Sequence, residues 1–275
     1  MMLDGHQARR RFSQNFLHDP AQIARIVDAI DPQPGASLIE IGPGLGALTG
    51  PLLARAGRLI AIELDRDLAG RLRERFDSSV LDLIEGDALK VDWAQLIARL
   101  DAPVRILGNL PYHVSTPLLF ALVPIADKVA DQHFLLQREV VDRMVAKPAT
   151  ADYGRLSVML QMRYQMKKLL DIGPGAFTPA PKVWSSLVRL VPLPADELPE
   201  VDAAAFARTV TAAFSQRRKT LRNALSALMD EEGIRAAGVD PKARGETLDV
   251  NAFVRLASRV GEATPEASGQ VGARR

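Results

Sequence analysis

Between residues 20 and 107 short apolar runs alternate with stretches of helical period, and this alternation narrows the possible folds more than any other feature. PAQIARIVDAI (20–30) sets Ile23, Ile26, Val27 and Ile30 on one helical face, with Asp19 placed to cap and Pro20 at the first position. DPQPG then breaks the chain, and SLIEI (37–41) reads as a short buried strand before a glycine-rich turn and a helix through Leu48, Leu52 and Leu53. RLIAIELD is a second strand whose apolar run ends at Glu63. The pattern repeats as helix (67–76), strand (81–85), helix (93–99) and strand (104–107). Such alternation predicts an α/β fold: a Rossmann-like, mostly parallel sheet covered by helices on both faces.

Further along, 117–145 reads as more helix and strand, while 156–170 fits either period. After LVRLVPLPADELP the composition shifts, and 202–260 is alanine-rich with a helical period, clearest in VDAAAFARTVTAAF and KTLRNALSALM. The expected organisation is a Rossmann-like domain over 1–195, a small all-helical domain over 196–262, and a disordered tail over 263–275.

Composition removes several function classes. With 47% hydrophobic and 25% charged residues the chain can bury a core, so it is not a disordered protein. The absence of cysteine excludes a disulfide framework, a thiolate metal site and a cysteine nucleophile. Only four histidines without paired spacing make a metal site improbable. MMLDGHQARRR lacks the apolar run of a signal peptide, and the longest apolar stretch, 117–126, is far short of the roughly 20 residues of a spanning helix. The expectation is a soluble, cytoplasmic protein away from membranes, with nothing to suggest an oligomer rather than a monomer. Net charge is only +2, yet 211–229 holds no acidic residue while Arg217, Arg218, Lys219 and Arg222 fall within six positions. Arg9, Arg10 and Arg11 form a second basic run. Both are read as solvated surface or as phosphate-contacting patches on a nucleic-acid-binding face.

Three strand ends converge on one crevice, where open parallel sheets bind ligands. Glu40-Ile41-Gly42-Pro43-Gly44-Leu45-Gly46 lies between strand and helix, where glycines let the backbone approach a ligand closely. Glu63 ends the next strand, 23 positions after Glu40, placed to accept hydrogen bonds from ribose hydroxyls, and Asp87 follows the third strand within reach of an adenine amine. Gly42, Gly44 and Ala47 satisfy a dinucleotide pattern as well as an S-adenosylmethionine turn, so the glycines do not choose between cofactors.

Asn109-Leu110-Pro111-Tyr112 chooses. An adenine amine is a poor nucleophile because its lone pair is delocalised into the ring. Two acceptors, the Asn109 side-chain carbonyl and the Leu110 main-chain carbonyl, would favour the pyramidal nitrogen that forms during attack. Pro111 fixes the turn and Tyr112 offers a ring to stack an extruded base. His113 invites a general-base role, but a neutral amine needs no prior deprotonation and its surplus proton leaves to solvent.

The sequence resembles the KsgA/RsmA family of ribosomal RNA adenine dimethyltransferases. The matches are RFSQNFL, EIGPGLGALT, IELD, EGDAL, NLPY, FTPAPKV and FSQRRKTLRNAL, in family order from residue 11 to 225. The resemblance implies a class I S-adenosylmethionine-dependent methyltransferase domain followed by a helical rRNA-binding domain. It implies that Gln14, Asn15, Leu17, Gly42, Gly44, Glu63, Asp87 and Asn109 bind S-adenosylmethionine. Phe177 is similar to an aromatic that packs on the target base opposite Tyr112. Lys182, Arg217, Arg218, Lys219 and Arg222 would face rRNA. The implied activity is dimethylation of two adjacent adenosines in the 3′-terminal hairpin of 16S rRNA in the small (30S) subunit. The competing readings are adenine methylation of 23S rRNA or DNA, and a mainly non-catalytic ribosome assembly factor. Two departures stand out: Ser13 where many members have glycine, and His113 where asparagine is common.

Overall fold

Ser37–Ile41 (β1), Leu59–Glu63 (β2), Leu81–Glu85 (β3) and Val104–Asn109 (β4) are the parallel strands foreseen from the sequence. β1 pairs with β2 and β4, β2 with β3, and β4 with Val129–Gln137 (β5), all in parallel. Tyr164–Ile172 (β6) and Ser185–Pro192 (β7) complete the sheet, β7 antiparallel to both β5 and β6. The order is β3-β2-β1-β4-β5-β7-β6. It reverses between β1 and β4, so a crevice opens past their carboxyl ends. The computed structural model describes residues 2–3, 6–7, 15–101, 103–216 and 218–262. Gln14 and Arg217, together with Arg9, Arg10, Arg11, Ser13 and the tail 263–275, lie outside the described residues.

All five residues of β2 and the last four of β1 are buried, the near-continuous apolar run of strands covered on both faces. The flanking helices are Pro20–Ile30 (α1), Thr49–Ala56 (α2), Arg66–Arg75 (α3), Trp93–Ile97 (α4), Ser115–Leu122 (α5) and Arg138–Val145 (α6). Asp19 caps α1 as expected, accepting from the Ala21 and Gln22 amides at 2.8 and 3.1 Å. Ile26, Val27 and Ile30 of α1 join Leu52 of α2, Leu72 of α3 and Leu38, Leu59 and Leu107 of the sheet in one core. Arg105 on β4 ties the end of α1 to the sheet. Its guanidinium pairs with buried Asp131 at 2.7 Å and donates to the Ile30 carbonyl at 2.6 Å.

The chain forms two compact units, one from 1–145 and 163–196, the other from 146–162 and 197 onward. Residues 146–162, which the sequence boundaries put in the first domain, therefore belong with the helices. The ambiguous stretch 156–170 resolves into both periods: Arg155–Gln161 (α7) buries Leu156, Val158 and Leu160, and after a turn the chain enters β6. A single periodicity cannot describe a segment that changes element and unit halfway. The second unit also holds Ala203–Ala213 (α8, capped by Asp202), Leu221–Ala224 (α9), Glu231–Ala236 (α10) and Val250–Glu262 (α11). Its core joins Val158, Phe206, Val210, Leu221, Leu225, Ile234, Phe253 and Leu256, and the Tyr153 hydroxyl donates to the Leu248 carbonyl at 2.8 Å.

The helix expected over KTLRNALSALM is a correction. Leu221, Leu225 and Met229 are buried at the predicted period, but the regular helix is the single turn Leu221–Ala224. The Leu221 and Arg222 amides donate to the Ala243 and Pro241 carbonyls, so a neighbouring loop takes the place of a preceding helical turn. Arg218 and Lys219 consequently sit in an exposed turn rather than on a basic helix. Among the described residues no helix is long and apolar enough to cross a membrane.

Candidate functional site

A cavity of about 150 Å³ opens at the β1/β4 reversal, walled by the ends of β1 to β4 and by Asn15, Phe16 and Leu17. The glycine turn leaves β1 with Gly42, Gly44 and Gly46 at φ +66°, +60° and +77°, a region that side chains with a Cβ seldom occupy. The Gly42 amide donates to the Ile62 carbonyl at 2.9 Å, stitching the turn to β2. A Cβ at Gly44 would meet the Phe16 ring at 3.4 Å, an ordinary contact, so it is the positive φ that calls for glycine there.

Glu63 is 6% exposed, and both its carboxylate oxygens accept backbone donors: Gly44 N–H to Oε2 at 3.0 Å and Asp65 N–H to Oε1 at 2.8 Å. Burial pushes its pKa up against these donors. With about four lone-pair sites the carboxylate can still accept ligand hydroxyls. Asp87, beyond β3, accepts the Leu89 amide at 3.0 Å, which locks the loop and keeps the carboxylate at the wall. Leu64 and Leu89, 51% and 40% exposed, line the same wall beside the two acids. Carboxylates that accept from hydroxyls and an amine, with apolar side chains next to them, suit a purine nucleoside. S-adenosylmethionine therefore fits the residues present.

Asn109 ends β4. Its Nδ2 faces the Asn15 carbonyl at 3.4 Å, which leaves Oδ1 as the side chain's acceptor. Tyr112 is half-buried, its hydroxyl 3.0 Å from Ser185 Oγ at the start of β7, and burial raises its pKa. Ser115 donates to the Tyr112 carbonyl at 3.0 Å, and the Leu110 amide to the Leu135 carbonyl at 3.2 Å. The turn is thus held from α5, β5 and β7.

Asn15, Leu17, Gly42, Gly44, Glu63, Asp87, Asn109, Leu110 and Tyr112 are brought to one cavity. Phe177 is not. It is 2% exposed, paired opposite Leu17 in a short antiparallel ribbon, and packed into the core with Leu135 and Leu187. Paired opposite each other, Leu17 and Phe177 share one face of the ribbon and both enter the core; Leu17 also reaches the cavity wall, and Phe177 does not. Lys182 is exposed in the first unit, and Arg218, Lys219 and Arg222 in the second, where Arg222 approaches Glu231 at 3.6 Å.

Sequence reasoning missed Gly108, Ser185 and Leu64. Gly108 is invisible as a turn glycine because it lies within a strand; its role comes from the 2.3 Å that would separate a Cβ from the Ile41 carbonyl oxygen. Leu64 had a signal, an apolar residue directly after the strand-ending acid.

Glu40 is buried in the wall, accepting from Thr49 Oγ1 at 2.7 Å. Burial, with a smaller push from the Glu63 charge, raises its pKa from 4.5 to about 7 against the Thr49 hydrogen bond. The folded state therefore holds a proton more tightly than the unfolded chain. This group costs nothing below pH 4.5, and its penalty grows through about pH 7. Glu40→Gln mimics the protonated form. Its stability relative to the parent should rise across that window by on the order of 3 kcal/mol. Paired urea melts at pH 5, 6, 7 and 8 check this; a difference that stays constant with pH would refute it.

The family model for ribosomal RNA adenine dimethylase matches residues 5–261. The chain is 55% identical over 262 residues to a ribosomal RNA small subunit methyltransferase A of Aromatoleum aromaticum, covering 95% of this chain and 97% of that protein. It is 57% identical over 245 residues to a protein of the same name from Thiobacillus denitrificans, covering 89% and 94%. Among solved structures it is similar to a dimethyladenosine transferase from Plasmodium falciparum, with TM-score 0.72 at 24% identity over 88% of this chain and 95% of that one. It is also similar to the 23S rRNA methyltransferase ErmE, with TM-score 0.66 at 26% identity over 90% of this chain and 100% of that one.

Proposed function

Because this chain belongs to the ribosomal RNA adenine dimethylase family, we propose that it places two methyl groups on the exocyclic amine of each of two adjacent adenosines in the 3′-terminal hairpin of 16S rRNA. It acts in the cytoplasm as a monomer on the small (30S) ribosomal subunit. The observation that carries this reading is that Glu63 and Asp87 meet the Asn109–Tyr112 turn in one cavity. Small-subunit methyltransferases related at 55% identity over nearly the whole chain favour that substrate over large-subunit RNA.

Glu63 and Asp87 would hold the nucleoside half of S-adenosylmethionine, with the Gly42–Gly46 turn, Asn15 and Leu17 around it. When bound, that cofactor supplies a methyl group made electrophilic by its sulfonium. Asn109 Oδ1 and the Leu110 carbonyl accept the two amine protons and favour the pyramidal nitrogen. Tyr112, its hydroxyl anchored by Ser185, carries the base on its ring. The apolar side chains around the turn exclude water. His113 lines the cavity but needs no base role, since the proton surplus of the methylated amine goes to solvent. Lys182 and Arg218, Lys219 and Arg222 contact rRNA phosphates.

Labelled methyl transfer to under-methylated small subunits, with large subunits and duplex DNA in parallel, tests the reading. Dimethyladenosine confined to small-subunit RNA is expected. Label in large-subunit RNA or DNA would overturn the substrate, and tight subunit binding without transfer would favour an assembly factor.

A further inference from the structure

The motif FTPAPKV ends at Val183, and the next residue is the most conspicuous exposed aromatic among the described residues. Trp184 is 49% exposed and follows Lys182 and Val183, both exposed as well. Its neighbour Ser185 begins β7 and is the residue that anchors the Tyr112 hydroxyl at 3.0 Å. Because β7 runs antiparallel to β5, its first residue lies at the carboxyl edge of the parallel strands, the edge that carries Asn109. Trp184 therefore lies at the same sheet edge as that turn, one residue from its anchor.

The indole is fixed rather than loose. The Trp184 main-chain carbonyl accepts the Arg138 amide at 2.9 Å, which fixes the backbone, and a Cβ at Gly173 would stand 3.7 Å from the six-membered ring. The Arg138 guanidinium lies 6.0 Å from the ring centroid and is itself steadied by Asp142 at 3.9 Å. A core role would bury this side chain, and half of it is in water instead. A half-exposed indole with a guanidinium over one part of its ring and a lysine two positions away matches one occupant best, an unpaired nucleobase and its phosphate. Aromatic rings stack on any base face, and cations meet the backbone.

We propose that Trp184 is a stacking platform for a nucleotide that adjoins the target adenosine, with Arg138 and Lys182 meeting its phosphate. This rests on the RNA substrate proposed above. Platform and Tyr112 would hold two neighbouring bases apart, since Ser185 connects one to the other.

Steady-state methyl transfer to under-methylated small subunits by Trp184→Ala and Trp184→Phe tests it, together with S-adenosylmethionine binding by calorimetry and subunit binding by co-sedimentation. Stacking is worth roughly 5- to 150-fold in affinity per base. Trp184→Ala should raise KM and weaken co-sedimentation by about that factor, with kcat within about twofold and cofactor affinity unchanged. Trp184→Phe should restore most of the loss. An unchanged KM and sedimentation for Trp184→Ala overturns the proposal. So does a joint loss of kcat and cofactor binding that Phe fails to rescue, which marks a structural role. If the parent chain transfers no methyl to any RNA, the activity reading fails, and co-sedimentation of the variants still decides whether Trp184 contacts the subunit.

Discussion

Asn109→Ala is expected to bind S-adenosylmethionine within a few-fold of the parent and to lose at least about a hundredfold in kcat. In the proposed roles the cofactor rests mostly on the glycine turn, Glu63 and Asp87, none of which hydrogen-bonds the Asn109 amide. The acceptor for the amine does depend on it. Nδ2 is engaged by the Asn15 carbonyl, so truncation removes Oδ1 without collapsing the turn, which α5, β5 and β7 hold through Ser115, Leu135 and Ser185. Removing one preorganised hydrogen-bonding group of this kind typically costs about 10²- to 10³-fold. Asn109→Asp keeps acceptors in place and should recover part of the rate. Calorimetry for the cofactor and single-turnover transfer for the methyl separate the two effects. Wild-type-like turnover by Asn109→Ala would remove the mechanism; loss of cofactor binding in proportion to turnover would reassign Asn109 to the cofactor wall.

Gly108→Ala should fail in a different way. A Cβ there would stand 2.3 Å from the Ile41 carbonyl oxygen, 3.2 Å from the Ile41 carbonyl carbon and 3.2 Å from Leu110 Cδ2. Two of the three obstacles are backbone of β1, which pairs in register with β4 through Glu40 and Leu107 and cannot swing aside like the end of a flexible side chain. Relief requires parting the two central strands where the cavity opens. The expected cost is at or above the top of the overpacking range, about 3 kcal/mol, with loss of cofactor binding and of transfer together. Gly70→Ala is the control. Gly70 lies in α3 with nothing within 4 Å of a Cβ, so the same chemical change should be neutral or stabilise by up to about 1 kcal/mol through helix propensity. Urea unfolding of both variants checks the pair, and equal stabilities would refute the steric account.

The strands over 37–41 and 81–85 were legible to the residue, and RLIAIELD gave the strand 59–63 with its end at Glu63, because turn residues bound each segment. In the central strands, covered on both faces, local hydrophobicity and burial coincide, whereas the edge strand 81–85 buries only Leu81. The start of α1 was legible because Asp19 and Pro20 act on backbone groups two or three positions away. The same locality explains why Gly42, Gly44, Glu63, Asp87 and Asn109 could be expected at one cavity wall, each at or just past the end of a strand that its own sequence defines.

What the amino-acid sequence determined by itself is whatever depends on neighbours along the chain: caps, strand ends, the glycine turn and the acids that follow each strand. Tertiary structure alone decided the rest. Phe177 is an aromatic in a motif, yet ribbon pairing opposite Leu17 turns it into the core. Residues 219–229 carry a helical period, yet contacts from the Pro241 and Ala243 carbonyls leave only one turn of helix. Gly108 looks like any strand glycine until β1 is laid beside it, and Trp184 like any aromatic until it is found in water next to Tyr112's anchor. In each case the deciding contact joins residues more than fifteen positions apart, and its energy is set by a distance that no local pattern encodes.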